Sequence, residues 1–202
     1  LERILPRLPE IPGWDFALHY EPQQAIGGDF YDIIPRQDGR LLVVIGDVAG
    51  HGPEATLIVV SALKTLRFAA RRHPSSVPNA LAEFNDELRR DVHHHHFLTL
   101  FALELDPAAR RATCWCAGHH RALLVNRERP APISEVGAAA PAIGIVKGST
   151  LVAALNPVVI EFIPGDTLLL CTDGLFEVAG ADDEQFGHER LLLSCASTLD
   201  QP

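Results

Sequence analysis

Between residues 41 and 45 the chain sets five apolar residues in a row, LLVVI, and ends them on Gly46 and Asp47, before a loop punctuated by Gly50 and Gly52. An apolar run bounded by glycine reads as a buried strand. A buried strand that ends on a carboxylate carries that carboxylate, rigidly held, to the rim of a sheet. Asp is rarely buried unless it is paired or bound to a metal, so a charge at this place asks for a partner. The alternative is a turn in which Asp47 caps the helical pattern that begins near Pro53.

Two other stretches repeat the form. Residues 25–32, AIGGDFYD, use Gly27 and Gly28 for a tight bend and place Asp29 at its exit. Residues 167–177, TLLLCTDGLFE, run an apolar strand into Asp173 and Gly174. Hard divalent cations such as magnesium and manganese take oxygen ligands, so aspartates converging from several strand ends suit such a site. Asp29, Asp47 and Asp173 are therefore the candidate metal ligands.

In this order GGDFYD, GDVAGHG and CTDGLFE resemble the SpoIIE-like (RsbU-like) bacterial branch of the metal-dependent type 2C serine/threonine protein phosphatases. AGH at 117–119, PAIGI at 141–145, PGD at 164–166 and Phe186-Gly187 before a final helix extend the match from about Ile11 to about Leu193. The resemblance implies an α+β fold, with two stacked, mainly antiparallel β-sheets flanked by helices as a four-layer αββα sandwich. It implies hydrolysis of phosphoserine or phosphothreonine on a regulatory protein, such as an anti-sigma-factor antagonist, by direct attack of metal-bound hydroxide. Two divalent cations, Mn2+ or Mg2+, would serve it. By the resemblance Asp47 bridges them, with the Val48 carbonyl as an extra ligand, and Asp29 binds one cation, directly or through water, and Asp173 the other. Two metals roughly 3.5–4 Å apart can activate a water at neutral pH and hold attacking and leaving oxygens in line. His51 is the imidazole nearest in sequence to that bridge and the candidate general acid, against a loop-structuring role or water as the acid.

The match has departures. His120 and Arg121 follow AGH where the family has an Asn-Pro type step, and no Arg lies between Gly13 and Asp29 to grip phosphate. The family's final helix leads to a strand with an Asp-Asp pair, one of which completes the metal site. Here the chain stops at Pro202, Asp200 belongs to no strand pattern, and Asp182 and Asp183 follow the TDG loop too closely. The expectation is a domain without its C-terminal strand and one ligand short. A regulatory binding module of the same fold, with weak or no catalysis, is the alternative function. A nucleotide-binding turn fits less well, since neither GxGxxG nor GxxxxGK[ST] is present and Asp47 would repel pyrophosphate.

At 202 residues, 47% hydrophobic and 21% charged, the chain is long enough for one domain with a sizeable core. Residues 13–202 are assigned to it; Pro6, Pro9 and Pro12 make residues 1–12 an extended arm. The chain begins at Leu1 and holds no Met, which reads as a piece of a longer protein, with the arm as the junction to the sensor or receiver domain that the resemblance implies upstream. A net charge of -9 argues against a nucleic-acid partner. No apolar run approaches the ~20 residues that span a bilayer, and no signal peptide opens the chain, so a cytoplasmic location is expected. Cys114, Cys116, Cys171 and Cys195 lack the paired spacing of a zinc site and read as buried free thiols.

Alternation predicts a half-buried strand from Trp14 to Tyr20, a strand from Tyr31 to Ile34, and a hairpin at Asp38-Gly39 into the central strand. A helix from Glu54 to Arg72, with Leu57, Ala62 and Leu66 apolar, stops at Pro74; a second begins near Ser76 with Leu81, Phe84 and Leu88 on one face. The run His93 to His96 reads as a solvated loop, with a transition-metal site as the alternative. Strands follow at 97–105 and 112–116, and a hairpin joins 158–163 to 167–171 around Pro164-Gly165. Residues 137–142 read as a loop, and His119 as a structural tie between turns.

Overall fold

The protein is described from a computed structural model that covers residues 5–21, 27–50, 52–91, 96–180 and 184–199. Strands β1 (Asp29–Pro35) and β2 (Leu41–Val48) form the hairpin expected at Asp38-Gly39. Gly39 sits at φ 82°, and the Arg36 N–H donates to the Arg40 carbonyl at 2.8 Å, which closes the turn. The turn fixes the register: Pro35 stands opposite Leu41, and at the far end Asp29 stands opposite Asp47. A slip of one residue would send either acid to the other face, so turn chemistry at Asp38-Gly39 decides where two carboxylates meet.

β3 (Leu98–Asp106) and β4 (Arg111–Ala117) extend this sheet, with Thr99 opposite Asp47. The outer edge of β4 is divided between β7 (Ala139–Ala140), parallel to it, and β8 (Val158–Glu161), antiparallel. A second sheet has the order β6 (Ile133–Val136), β5 (Ala122–Val125), β9 (Thr167–Leu169). Helices α1 (Pro53–Arg72) and α2 (Val77–Asp91) lie against the larger sheet, α3 (Gly148–Ala154) packs on α2, and α4 (Gly187–Leu199) packs on the smaller sheet.

Three cores separate these four layers. Phe30, Val44, Leu66, Leu81, Phe84, Leu98 and Leu100 fill the one beneath α1 and α2. Phe101, Leu103, Cys114, Cys116, Leu124 and Ile160 fill the one between the sheets. Leu123, Val125 and Leu191 form a smaller one under α4. β3 is buried on both faces, Leu98 and Leu100 toward the helices and Phe101 and Leu103 toward the second sheet. This is why its sequence is a nearly unbroken apolar run rather than an alternation. The αββα sandwich and the helix pair are as the sequence implied.

Several elements differ from expectation. Residues 15–21 form no strand; only an isolated bridge joins Ile11 to Trp14. The aromatic residues there act as separate plugs: Trp14 meets Phe162 edge-on at 5.1 Å, and the Tyr20 hydroxyl donates to the Asp29 carbonyl at 3.2 Å. β8 and β9 are not a hairpin, since β8 pairs with β4 in one sheet and β9 with β5 in the other. A polar corner redirects the chain between them. Asp166, nearly inaccessible, accepts from Arg129 Nε at 2.7 Å, from Asn126 Nδ2 at 2.9 Å and from the Ile163 N–H at 2.8 Å. Leu57 is 73% exposed, and α1 buries Ala55, Val59, Ala62, Leu63 and Leu66 instead. Residues 137–142 contain β7, which has no periodicity to betray it because it is only two residues long.

Candidate metal centre

The parity of a strand decides which face each acid of the DFYD segment takes. Phe30 and Ile34 face the helices, and Ile33 faces the second sheet, so Asp29 shares the inter-sheet side and Asp32 the helix side. Asp32 is buried and satisfied there, held by Arg67 Nε at 2.6 Å and by Arg67 Nη2 at 3.0 Å. Asp29 has no such partner, and its Oδ1 is buried without a hydrogen bond. In β2 the same alternation puts Asp47 on the inter-sheet side with Val43 and Ile45. Asp173 arrives from the other sheet, just past β9, at the head of a 3-10 turn over Asp173–Leu175. Carboxylate oxygens of Asp29, Asp47 and Asp173 lie within 4.8 Å of one another, at the rim of the cleft between the sheets.

Gly28 makes room for this cluster. A Cβ at that position would stand 2.7 Å from Asp47 Oδ1 and 2.8 Å from the Val48 carbonyl oxygen, so any side chain would fill the space those oxygens face. The Val48 N–H donates to the Gly28 carbonyl at 3.2 Å, which holds the two strand ends together. The Val48 carbonyl and Asp47 carboxylate oxygens thus both lie beside Gly28.

The electrostatics are those of a site built for positive charge. Asp47 is pushed up to about 7, first by burial and then by the charges of Asp29 and Asp173. Burial also raises Asp29, the Asp173 charge adds to it, and a hydrogen bond from Thr172 opposes them. Like charges at such distances cannot all ionise unless a cation compensates them. Three carboxylates, one of them with a buried and unpartnered oxygen, and a peptide carbonyl make an all-oxygen donor set that fits a hard divalent cation.

Other expected residues are distributed differently. His51 lies outside the described residues, as do residues 93–95 of the histidine run and the Asp182-Asp183 pair. His96, the last of that run, contacts Glu54 with Nε2 at 3.2 Å from Oε1. Among the described residues the only group of three or more possible metal-ligating side chains is the aspartate cluster. Cys114 and Cys116 are buried free thiols in the inter-sheet core, and Cys171 and Cys195 are free and half-buried. His120 packs its ring 4.7 Å from Phe176, which places the departure from AGH-Asn-Pro beside the turn that carries Asp173.

Sequence reasoning did not find Thr99. It faces Asp47 across the β2–β3 ladder, and its Oγ1 lies 2.7 Å from His119 Nδ1. Burial, with the neighbouring His120, holds His119 down to about 4, so the ring is neutral at physiological pH. Only the register of β2 on β3, not any local pattern, brings Thr99 to this place.

The chain is similar in sequence to a curated relative and in fold to several solved structures. Protein IcfG of Synechocystis sp. (strain ATCC 27184 / PCC 6803 / Kazusa) is 25% identical over 211 residues, which cover 92% of this chain and 32% of that protein. The chain therefore spans about a third of the length of this curated relative. The RsbU and RsbW domains of a Mycobacterium tuberculosis protein superpose with a TM-score of 0.69 at 27% identity, over 86% of this chain and 46% of that one. The SiaA-PP2C domain of Pseudomonas aeruginosa gives a TM-score of 0.72 at 24% identity, over 90% and 69%. The PP2C phosphatase domain of SpoIIE from Bacillus subtilis gives 0.63 at 18%, over 89% and 49%; at these last two identities the likeness concerns the fold alone. Residues 37–202 match the family described as Stage II sporulation protein E (SpoIIE), and with the acid junctions and the sandwich in place the chain belongs to that family and has the PP2C phosphatase fold.

Proposed function

We propose that the chain is a metal-dependent protein phosphatase that hydrolyses phosphoserine or phosphothreonine on a regulatory protein, with an anti-sigma-factor antagonist as the type of substrate. The convergence of Asp29, Asp47 and Asp173 on one rim carries this reading. Asp47, raised by burial and by the charges of the other two, would hold both of two cations, Mn2+ or Mg2+. Asp29 would serve one cation and Asp173 the other, and the Val48 carbonyl would add a neutral donor on the Gly28 side. When bound, the cations supply an activated water and neutralise the phosphoryl oxygens.

The residues of the chain position and shield. Register holds Asp29 against Asp47, and Gly28 leaves room beside the Asp47 carboxylate and the Val48 carbonyl. His51 is the candidate donor of a proton to the leaving serine or threonine oxygen. Among the described residues no helix is long and apolar enough to cross a membrane. The reading places the chain in the cytoplasm, with a sensor or receiver domain joined through residues 1–12.

The test is hydrolysis of a small aryl phosphate and of a phosphoserine protein, with Mn2+, without it, and after chelation. Turnover should need the cation, and Asp47→Asn should abolish it while circular dichroism stays unchanged. Turnover that survives exhaustive chelation overturns the metal reading. Metal binding without hydrolysis of either substrate indicates a binding module instead.

A further inference from the structure

We propose that His119 is a positioning residue of this metal centre: it straps the strand that backs Asp47 to the segment that carries Asp173. The proposal rests on the reading of the three aspartates as metal ligands. Asp29 and Asp47 need no strap, because one hairpin sets their separation through its register. Asp173 comes from the other sheet, and its distance from Asp47 depends on whatever holds the two sheets together at this rim.

His119 stands between them. On one side its Nδ1 is 2.7 Å from Thr99 Oγ1, and Thr99 is the register partner of Asp47. On the other side Nε2 is buried and makes no hydrogen bond, and the Cys171 backbone is near enough to the ring to oppose the fall in its pKa. The ring thus stands between Thr99 and the backbone of the residue two positions before Asp173. The turn that bears the ring is itself pinned, with Gly118 bridged to Leu100 and its N–H donating to the Ala140 carbonyl at 2.9 Å.

A neutral imidazole has one donor and one acceptor nitrogen. The Thr99 hydroxyl can rotate to donate to Nδ1, which leaves the proton on Nε2 facing the Cys171 carbonyl. In this tautomer Nδ1 accepts from Thr99, and the buried Nε2 proton is turned toward the Cys171 side. Partners in the shell behind metal ligands typically change metal affinity by about 10- to 100-fold when removed.

The experiment is calorimetric titration of Mn2+ into the chain and its variants, together with an imidazole 15N spectrum of the metal-free chain. Thr99→Val and His119→Ala should each weaken Mn2+ binding about tenfold, and the pair together should weaken it no further, because both cut one link. Thr99→Ser, which keeps the hydroxyl, should restore wild-type affinity, an outcome that loss of side-chain volume alone would not produce. The spectrum should show the His119 proton on Nε2. If His119→Ala does not fold, Thr99→Val against Thr99→Ser decides the matter. Unchanged affinity in Thr99→Val, additive losses in the double variant, or a proton on Nδ1 each overturns the strap. Wild-type chain that binds Mn2+ yet hydrolyses no phosphoester sinks the phosphatase reading and leaves the strap to be judged on affinity. Wild-type chain that takes up no Mn2+ overturns both.

Discussion

Asp47 in the metal-free chain stays protonated up to about 7 against an ordinary value of 3.8. Its folded pKa lies above its unfolded one, so its contribution to stability is fully present at acid pH and is lost as pH rises through the folded value. His119 works in the opposite sense: held at about 4 against 6.5, it contributes stability above its unfolded pKa and loses it as pH falls toward 4. Over the interval between, the two slopes oppose each other, and the raw profile of the wild type hides both. Asp47→Asn removes one of them. With both proteins metal-free, the margin of Asp47→Asn over the wild type in urea unfolding should widen as pH rises toward about 7 and level off above it. A margin independent of pH would show that the Asp47 carboxylate is under no such pressure.

At the level of the element, β1 presents Asp29 to the cleft and Asp32 to α1, and the second of these anchors the strand. The Asp32 side chain is 1% exposed, and Arg67 holds both its oxygens. Removing one partner of a buried pair leaves an uncompensated charge, which costs about 3–5 kcal/mol, whereas replacing both costs much less. Arg67→Met should therefore lose about 3 kcal/mol in urea unfolding, and Asp32→Asn combined with it should recover most of that. Asn keeps an acceptor for the Ile33 N–H that Asp32 Oδ1 receives at 2.9 Å. Equal losses in the single and double variants would mean that the pair carries no buried charge. The motif DFYD shows two acids in the sequence; which one is structural follows from parity once the helix side of the sheet is known.

Across the whole molecule the three cores are unequal. The layer under α1 and α2 includes Phe30, Phe84 and Leu66, all buried, while α4 buries only Leu191 fully. Local opening is easiest where apolar burial is least, so α4 and β9 should exchange their amide hydrogens faster than α1 and α2. The aspartate cluster crosses this division, with Asp29 and Asp47 on the larger sheet and Asp173 just past β9 of the smaller. Cations shared by Asp47 with Asp29 and with Asp173 would tie the weaker layers to the stronger. Hydrogen–deuterium exchange with saturating Mn2+ should therefore slow the amides of β9 and of residues 172–176 more than those of α2. Uniform slowing, or none, would mean that Asp173 does not share the cation with Asp47.

The sequence by itself determined what is local. Apolar runs marked β2 and β3, period-3.6 spacing marked α1 and α2, Asp38-Gly39 set the hairpin, and acid-glycine junctions marked Asp29, Asp47 and Asp173 as a set. These features were legible because strand parity, helix period and turn chemistry act within a few residues. Sheet membership was not legible. The hairpin expected between residues 158–163 and 167–171 is instead a corner that sends β8 to one sheet and β9 to the other, because Asp166 finds Arg129 and Asn126 rather than a continuing ladder. The alternation from Trp14 to Tyr20 has no partner strand among the described residues: Trp14 packs on Phe162 while Leu18 is left exposed. A pattern of faces says how a segment is buried and leaves open which edge it joins, since an edge is a contact between residues far apart in the chain. For the same reason only the tertiary structure could place Thr99 and His119 behind the aspartates: their link is made by the register of β2 on β3 and by the approach of the second sheet.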